Sequence, residues 1–435
     1  MRLFFRIQLG LLALVLPFLF SSPVFGQSLY QMLERVVVEH DLVQAAEAGK
    51  GAADQAVNQA RGEWFPHVSA TANLGQEHID PATSTSSTNE TRNTQNLRAS
   101  QLVYDFGGSS SGVKRARSGL EKSEAAVTAA RQDIVRRGIA AYLNVYRHYQ
   151  MLQLARNSEQ RIVELTGIEE TMVTRGAGLA SDVLQAKSQL AGARALRVQA
   201  EGQLNNALNR FKTVFGFTLA EEQIENLELP VRPVDYIPIT LEEALDIADE
   251  NSIDLYMASM DIDMARHEIQ FRQSRYYPSL HLVGELKRKE NDAGISGTRK
   301  EALGMVELTW DLFRGGKDMA AVSEARYKLT QLEKQRDDLD HRVQERVLTA
   351  WQNMITSREN ARYLRDQANI MQEFLELARR ERRLGTRSLL DVLNGEITHL
   401  NALSNAVSAD VDRDLAIFNM LYAMGRLELD LLSRL

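Results

Sequence analysis

One set of signals occurs twice in this chain, in the same order. Ser28-Leu29-Tyr30-Gln31-Met32-Leu33 parallels Thr240-Leu241-Glu242-Glu243-Ala244-Leu245. Each opens with Ser or Thr followed three residues later by Gln or Glu, the capping-box pattern of a helix start. Trp64-Phe65-Pro66 parallels Tyr276-Tyr277-Pro278, and Leu102-Val103-Tyr104-Asp105 parallels Leu308-Thr309-Trp310-Asp311. Asp182-Val183-Leu184 parallels Asp391-Val392-Leu393, and Phe215-Gly216 parallels Met424-Gly425. Matches that keep their order and nearly their spacing mean duplication. The two copies are residues 27–228 and 240–435, joined by a Pro-rich linker at 229–239.

Proline placement then sets the order within each copy: a helix, two strands, two long helices. The eight prolines fall in the first 26 residues, at Pro66 and Pro278 where a helix gives way to a strand, at Pro81 in a loop, and in the linker. Proline costs about 3 kcal/mol inside a helix, so its absence from 82–229 and 279–435 permits very long ones. Ser109 to about Arg175 would be one helix of about 100 Å. Ala325, Leu329, Leu332, Leu339 and Val343 recur near the 3.5-residue coiled-coil period, and alanine pairs such as Ala125-Ala126 allow close packing. With charge on the remaining faces, this predicts a wall of helices wetted on both sides.

Four segments alternate with period two instead. Val68, Ala70, Ala72 and Leu74 alternate with His67, Ser69, Thr71 and Asn73; Leu280, Leu282 and Gly284 with Ser279, His281 and Glu285; Val306, Leu308 and Trp310 with Met305, Glu307 and Thr309. Leu97 to Tyr104 is less regular, because Gln101 interrupts it. The expected strands are about 66–78, 95–106, 278–288 and 301–313, each with one lipid face and one lumen face. The Ser-, Thr- and Asn-rich stretch 79–96 and the charged, Gly-containing stretch 288–300 read as solvated loops between them. Trp64, Phe65, Tyr104, Tyr276, Tyr277, Trp310 and Phe313 sit at the strand ends nearest the helices, where an interfacial aromatic girdle belongs. Four strands cannot close a barrel, and open sheet edges cannot face lipid. Two chains would give eight strands and little lumen; three would give twelve and an open pore.

The first 26 residues read as a secretory signal peptide: Arg2 and Arg6, an apolar run from Leu9 to Phe20, and Val24-Phe25-Gly26 before a start near Gln27. There is no cysteine, hence no disulfide, thiolate metal site or lipid anchor on a cysteine. With a net charge of −7 and no basic stripe, nucleic acid is not an expected partner. Catalytic signals are absent. Asp105-Phe106-Gly107 lacks the Gly-rich loop and lysine of a kinase. Gly315-Gly316-Lys317 is followed by Asp318, not Ser or Thr. The eight histidines show no metal-ligand spacing. No enzyme activity and no cofactor are expected. The other class open to such a chain is a periplasmic coiled-coil adaptor or structural rod; the strands argue against a plain rod, and an adaptor would need an inner-membrane or lipid anchor and a compact β-domain, neither of which is visible.

These features together resemble the TolC family of outer-membrane efflux and secretion channels. The duplicated openings, the aromatic-Pro junctions, and the turns at Asp105-Phe106-Gly107-Gly108 and Asp311 to Gly316 carry the likeness. Its most specific carriers are the tips Gly178-Leu179-Ala180-Ser181-Asp182-Val183-Leu184 and Gly385-Thr386-Arg387-Ser388-Leu389-Leu390-Asp391. The resemblance implies a mainly α homotrimer, a twelve-stranded transmembrane β-barrel continuous with a long periplasmic helical tunnel. It implies passive export of type I secreted protein or small molecules, driven by an inner-membrane ABC or RND transporter through a periplasmic adaptor. Gly178, Leu179, Gly385 and Thr386 would form the tip turns that meet the adaptor. Ser181, Asp182, Arg387, Asp391 and Asn394 would form the gate, with Arg387 tied to a neighbouring tip at Asp182. Two positions depart from the family: Arg382 stands near a lock tyrosine, and Asn394 where the narrowest point carries an acid.

Overall fold

The computed structural model describes residues 29–80, 87–176 and 179–433; the expected signal peptide, Pro81 and Gly178 lie outside them. The duplication is exact in its elements' lengths to within a few residues. α1 (Leu29–Glu39) and α2 (Asp41–Gly62) lead into β1 (His67–Ile79) and β2 (Thr88–Tyr104), then α3 (Gly108–Thr174) and α4 (Ala180–Phe215). After a short α5 (Glu221–Glu225), the second copy repeats the order: α6 (Leu241–Asn251), α7 (Ile253–Ser274), β3 (Ser279–Asp292), β4 (Ile295–Thr309), α8 (Lys317–Arg383) and α9 (Leu389–Ala423), closed by α10 (Leu429–Ser433). α3 and α8 both run 67 residues.

Two expectations are corrected. The single opening helix of each copy is two. His40 and Ser252 adopt extended backbone and cap the second helix, His40 Nδ1 accepting from Leu42 N and Ser252 Oγ from Leu255 N. The strands also run further than expected, through most of the stretches read as loops. Segments 88–94 and 288–292 are polar, yet they hold strand geometry through cross-strand ion pairs: Arg92 with Glu77 at 3.3 Å and Asp292 at 2.7 Å, and Lys289 with Glu301 at 3.7 Å. β3 turns into β4 through Asn291, Ala293 and Gly294, all with φ between 53° and 73°.

The helices pack on a seven-residue ladder of alanines and larger aliphatic side chains. Ala186, Ala193, Ala200 and Ala207 are buried along α4; Ala361, Ala368 and Leu375 along α8; Ile134, Ala141, Ala155 and Ile162 along α3. This is the coiled-coil repeat, with alanine bringing the axes close. A thicker core forms only midway along the shaft, where Leu33, Ile139, Leu143, Phe211, Phe418 and Leu421 are fully buried together. A Cβ on Gly138 would lie 2.3 Å from a Leu33 methyl, so α1 can lie on α3 only over a glycine. The linker and the residue before it are fastened to this belt. Tyr142 Oη donates to Glu228 O at 2.9 Å, and Arg232 Nε donates to the buried Asp414 at 2.6 Å.

The four strands form one antiparallel sheet in the order β1-β2-β3-β4, leaving β1 and β4 as free edges. Register assigns every residue to a face. Ala70 pairs with Leu97, Leu97 with Leu286, and Leu286 with Ala302; the next such row towards the helices is Val68, Ala99, Gly284 and Gly304. This face is an apolar band, and along β3 its residues from Leu282 to Arg288 are the exposed ones. The other face is polar and more enclosed, with Glu285 bonded to Asn96 at 2.8 Å and to Lys287 at 2.8 Å, and Arg98 to Glu307 at 2.9 Å. Gln101 lies on the apolar face, two residues on from Ala99 and opposite Leu282; the bulge between Leu102 and Tyr104 comes only after it. Its amide donates to Trp64 O at 2.7 Å, which removes the amide's need for water.

Candidate functional site at the helical tips

Two helical hairpins, α3–α4 and α8–α9, carry the long shaft away from the sheet and end in turns. The second turn is fully described. Gly385, at φ +77°, ends α8 with Thr386 N donating to Glu381 O and Gly385 N to Arg382 O. That is a left-handed glycine cap. Ser388 Oγ then accepts from Asp391 N at 3.1 Å and starts α9. Asp391 is exposed in the first turn of α9, where its charge suits the helix dipole. In the first turn the described left-handed glycine is Gly176, at φ +77°. Leu179 there is exposed and precedes α4, and Ser181 Oγ lies 3.3 Å from an Asp182 carboxylate oxygen.

Within one chain, Arg387 and Asp182 are not brought together. Arg387 folds back on its own hairpin, its Nε 2.9 Å from Glu381 and its guanidinium 5.1 Å from the centre of the Phe374 ring. Asn394 faces α4, where its carbonyl oxygen accepts from Gln189 at 3.3 Å. Arg382 does have a partner: its Nη2 is 3.0 Å from Glu169 on α3, and its Nη1 donates to Arg387 O at 3.3 Å.

The Arg382–Glu169 pair belongs to a charge cluster absent from the expectations. Glu169 and Glu396 are each 2% exposed. Arg379 Nε donates to Glu396 at 2.9 Å, and Arg161 on α3 lies 3.7 Å from the same carboxylate. The cluster therefore clamps α8 and α9 to α3. A groove of 710 Å³ runs beside it, lined by Leu165, Ile168, Met172, Arg383 and the clamp arginines. His399, one turn further along α9, has its Nε2 buried without a hydrogen-bond partner among the described residues. Burial holds its imidazole below the ordinary value; Glu396 opposes this, Arg161 and Arg379 add to it, and Glu376 opposes it again. The ladder carries a signal that could have found the clamp. Counting by seven from Ile134, Ala141, Ala155 and Ile162 reaches Glu169, and from Ala361, Ala368 and Leu375 reaches Arg382.

At the opposite end of the shaft the aromatics gather by contact. Phe106, at φ +53°, stacks on Tyr277 at 4.9 Å and meets Tyr104 edge-on at 4.8 Å. Trp310 Nε1 donates to Tyr276 O at 3.1 Å, while Trp64, Phe65 and Phe313 are exposed. Among the described residues no group of His, Cys, Asp or Glu could hold a metal, and no helix is long and apolar enough to cross a membrane.

An open four-stranded sheet with an apolar outer face, set on two 67-residue helices, is the protomer of an outer-membrane channel with a helical tunnel. The outer membrane efflux protein family matches residues 32–216 and 244–426, once per copy of the duplication, and the chain belongs to that family. It is 22% identical to outer membrane protein TolC of Escherichia coli (strain K12) over 436 residues, covering 95% of this chain and 85% of TolC. It is 24% identical to the alkaline protease secretion protein AprF of Pseudomonas aeruginosa over 288 residues, 65% of this chain and 59% of AprF. The fold superposes on a crystal structure of a membrane protein from Pseudomonas aeruginosa with a TM-score of 0.79, at 19% identity, over 91% of this chain and 90% of the other. The protein is thus an outer-membrane channel extending into the periplasm, not an enzyme.

Proposed function

We propose that three copies of this chain pool their strands into one twelve-stranded barrel and align their hairpins into a continuous tunnel, the exit duct of a tripartite export system. The observation that carries this is the sheet itself. Its outer face is apolar, and its two edge strands have unpaired backbone groups that lipid cannot satisfy. Neighbouring copies satisfy them by pairing β4 with β1. Twelve strands enclose a lumen, whereas eight would be filled by side chains. The polar inner face supplies its lining. The aromatics from Trp64 to Phe313 form the periplasmic girdle.

Transport through such a duct is passive. An inner-membrane transporter of the ABC or RND type drives it through a periplasmic adaptor, which grips the turns at Gly178, Leu179, Gly385 and Thr386. The gate lies at the same tips. Arg387 exchanges Glu381 for Asp182 of a neighbouring tip when closed, with Ser181 beside it and Asp391 and Asn394 lining the constriction. The name of the relative AprF, a protease secretion protein, favours type I secretion of protein cargo alongside small-molecule efflux.

The test is to purify the mature chain from outer membranes. A heat-dissociable trimer that conducts ions across a planar bilayer is expected. A soluble monomer that never inserts would end this reading. Deleting the gene and assaying both drug sensitivity and secreted protein then separates the two cargoes.

A further inference from the structure

The outer face of the sheet carries an unexplained pair of charges. Arg288 and Lys300 are register partners on β3 and β4, one row beyond Leu286 and Ala302, so two cations stand directly opposite each other. Like charges in that position are destabilising. Both side chains are exposed. Neither makes a hydrogen bond or ion pair with any described residue. The cations of the inner face behave differently. Lys287 pairs with Glu285 at 2.8 Å, Lys289 with Asp292 at 3.4 Å, Arg299 with Glu301 at 2.8 Å, and Arg98 with Glu307 at 2.9 Å. Pairing is the rule in this sheet, and only the outward row departs from it.

The neighbouring residues supply no hidden partner. Glu290, the next outward residue of β3, stands opposite Thr298 and makes no ion pair with either cation. In the same row β2 offers Gln95 and β1 offers Ala72. A second copy would bring its own β1 beside Lys300. Along its outward face that strand carries Val68, Ala70, Ala72, Leu74, Gln76 and His78, with no carboxylate.

Immediately towards the helices lies a groove of 680 Å³ whose outward lining is Ala70, Leu97, Leu286 and Ala302, with Ala72, Gln95, Arg288 and Lys300 at its head. In that row Leu97 and Leu286 stand side by side with Ala70 and Ala302 on their flanks, an apolar surface against which an acyl chain can pack. The helices leave the other end of the sheet for the periplasm, so this head lies on the extracellular side of the apolar band.

We propose that Arg288 and Lys300 bind the phosphate of an anionic outer-leaflet lipid, with its acyl chain lying in the groove below. Arginine offers a fork of donors that matches a phosphate, and lysine adds a point charge. The anion removes the repulsion between the two cations, and the lipid belongs to the assembled channel. This rests on the sheet spanning the outer membrane, which bilayer conductance of the same preparations checks separately.

The test uses the purified protein in detergent with diphosphoryl lipid A as probe, and counts retained lipid by native mass spectrometry. The double variant R288Q/K300Q should lower apparent affinity about thirtyfold, since each cation near a membrane surface contributes about five- to sixfold. R288K/K300R should keep most of the affinity, and the inner-face variant K287Q/K289Q should keep all of it. Heat-dissociable oligomer on gels shows that each variant has folded. Equal lipid A retention by R288Q/K300Q and the unchanged protein would overturn the proposal. So would retention of phosphatidylcholine as strong as that of lipid A, or displacement of lipid A by inorganic phosphate.

Discussion

Removing Arg382 tests whether the buried clamp holds the tips. Glu169 has a side chain only 3% exposed, and Arg382, 29% exposed, is its ion-pair partner at 3.0 Å. In Arg382→Ala the carboxylate stays in a slot that the seven-residue ladder otherwise fills with alanine or isoleucine. Breaking a buried pair in this way costs about 3 kcal/mol, the low end of the usual range because one partner is already partly wet. The reverse change, Glu169→Gln, leaves an arginine that can turn to water and costs about 1 kcal/mol. Replacing both with leucine continues the ladder and should return stability to within about 1 kcal/mol of the starting protein. Hydrogen exchange at the tip amides reads this directly: about 3 kcal/mol is roughly a hundredfold loss of protection. Single-channel recording gives the functional side. Arg382→Ala should open to higher conductance more often, and the double leucine variant should open less often. If Arg382→Ala and the double leucine variant exchange alike, or if the coupling between the two positions is under about 0.5 kcal/mol, the clamp is not what holds the tips.

Three further outcomes follow from the same region. If Arg387 closes onto Asp182 as proposed, Arg387→Ala should raise single-channel conductance; unchanged conductance would refute that role. If Asn394 lines the constriction as proposed, Asn394→Asp would place a carboxylate ring there and should strengthen block by trivalent cations measured from the periplasmic side; equal block would refute the placement. His399 should make the tips acid-sensitive. Its folded value lies below its unfolded value of about 6.5, so just below that pH the unfolded state binds more protons. The stability it contributes is intact above about pH 6.5 and is lost progressively as pH falls below that towards the lower folded value. Protection factors at the tip should therefore drop as pH falls below about 6.5, and His399→Gln should lessen the drop; an identical drop in both proteins would exclude His399 as its cause.

Much of the architecture is written in local signals. Proline positions and the change from period two to period seven place every strand and long helix, because both patterns act over one or two turns of chain. The misread segments are those stabilised from far away. Arg92 reads as loop until Asp292, two hundred residues on, is known to sit 2.7 Å from it. His40 and Ser252 break helices at residues whose cap bonds reach only to Leu42 and Leu255, but no proline or glycine marks the spot. At the tips the same limit applies. Arg387 and Asp182 stand out because they sit in turns, while Glu169 looks like one acid among several on α3. Its burial depends on Arg382, 213 positions away.

The change from apolar ladder to ion pairs along the shaft has an energetic consequence for gating. Where the ladder is Ala361, Ala368 and Leu375, separating the hairpins exposes hydrocarbon, and that cost does not fall with distance moved. Where it becomes Glu169 with Arg382 and Glu396 with Arg379 and Arg161, separation lets water reach charges that were costly to bury. Rehydration offsets much of the lost attraction, so on the proposed gate parting the tips costs less than parting the shaft above them. A partner that binds the open tip by a few kcal/mol can then shift the population without unzipping the tunnel. The position of the charges on the ladder, and not their number, decides where the hairpins part.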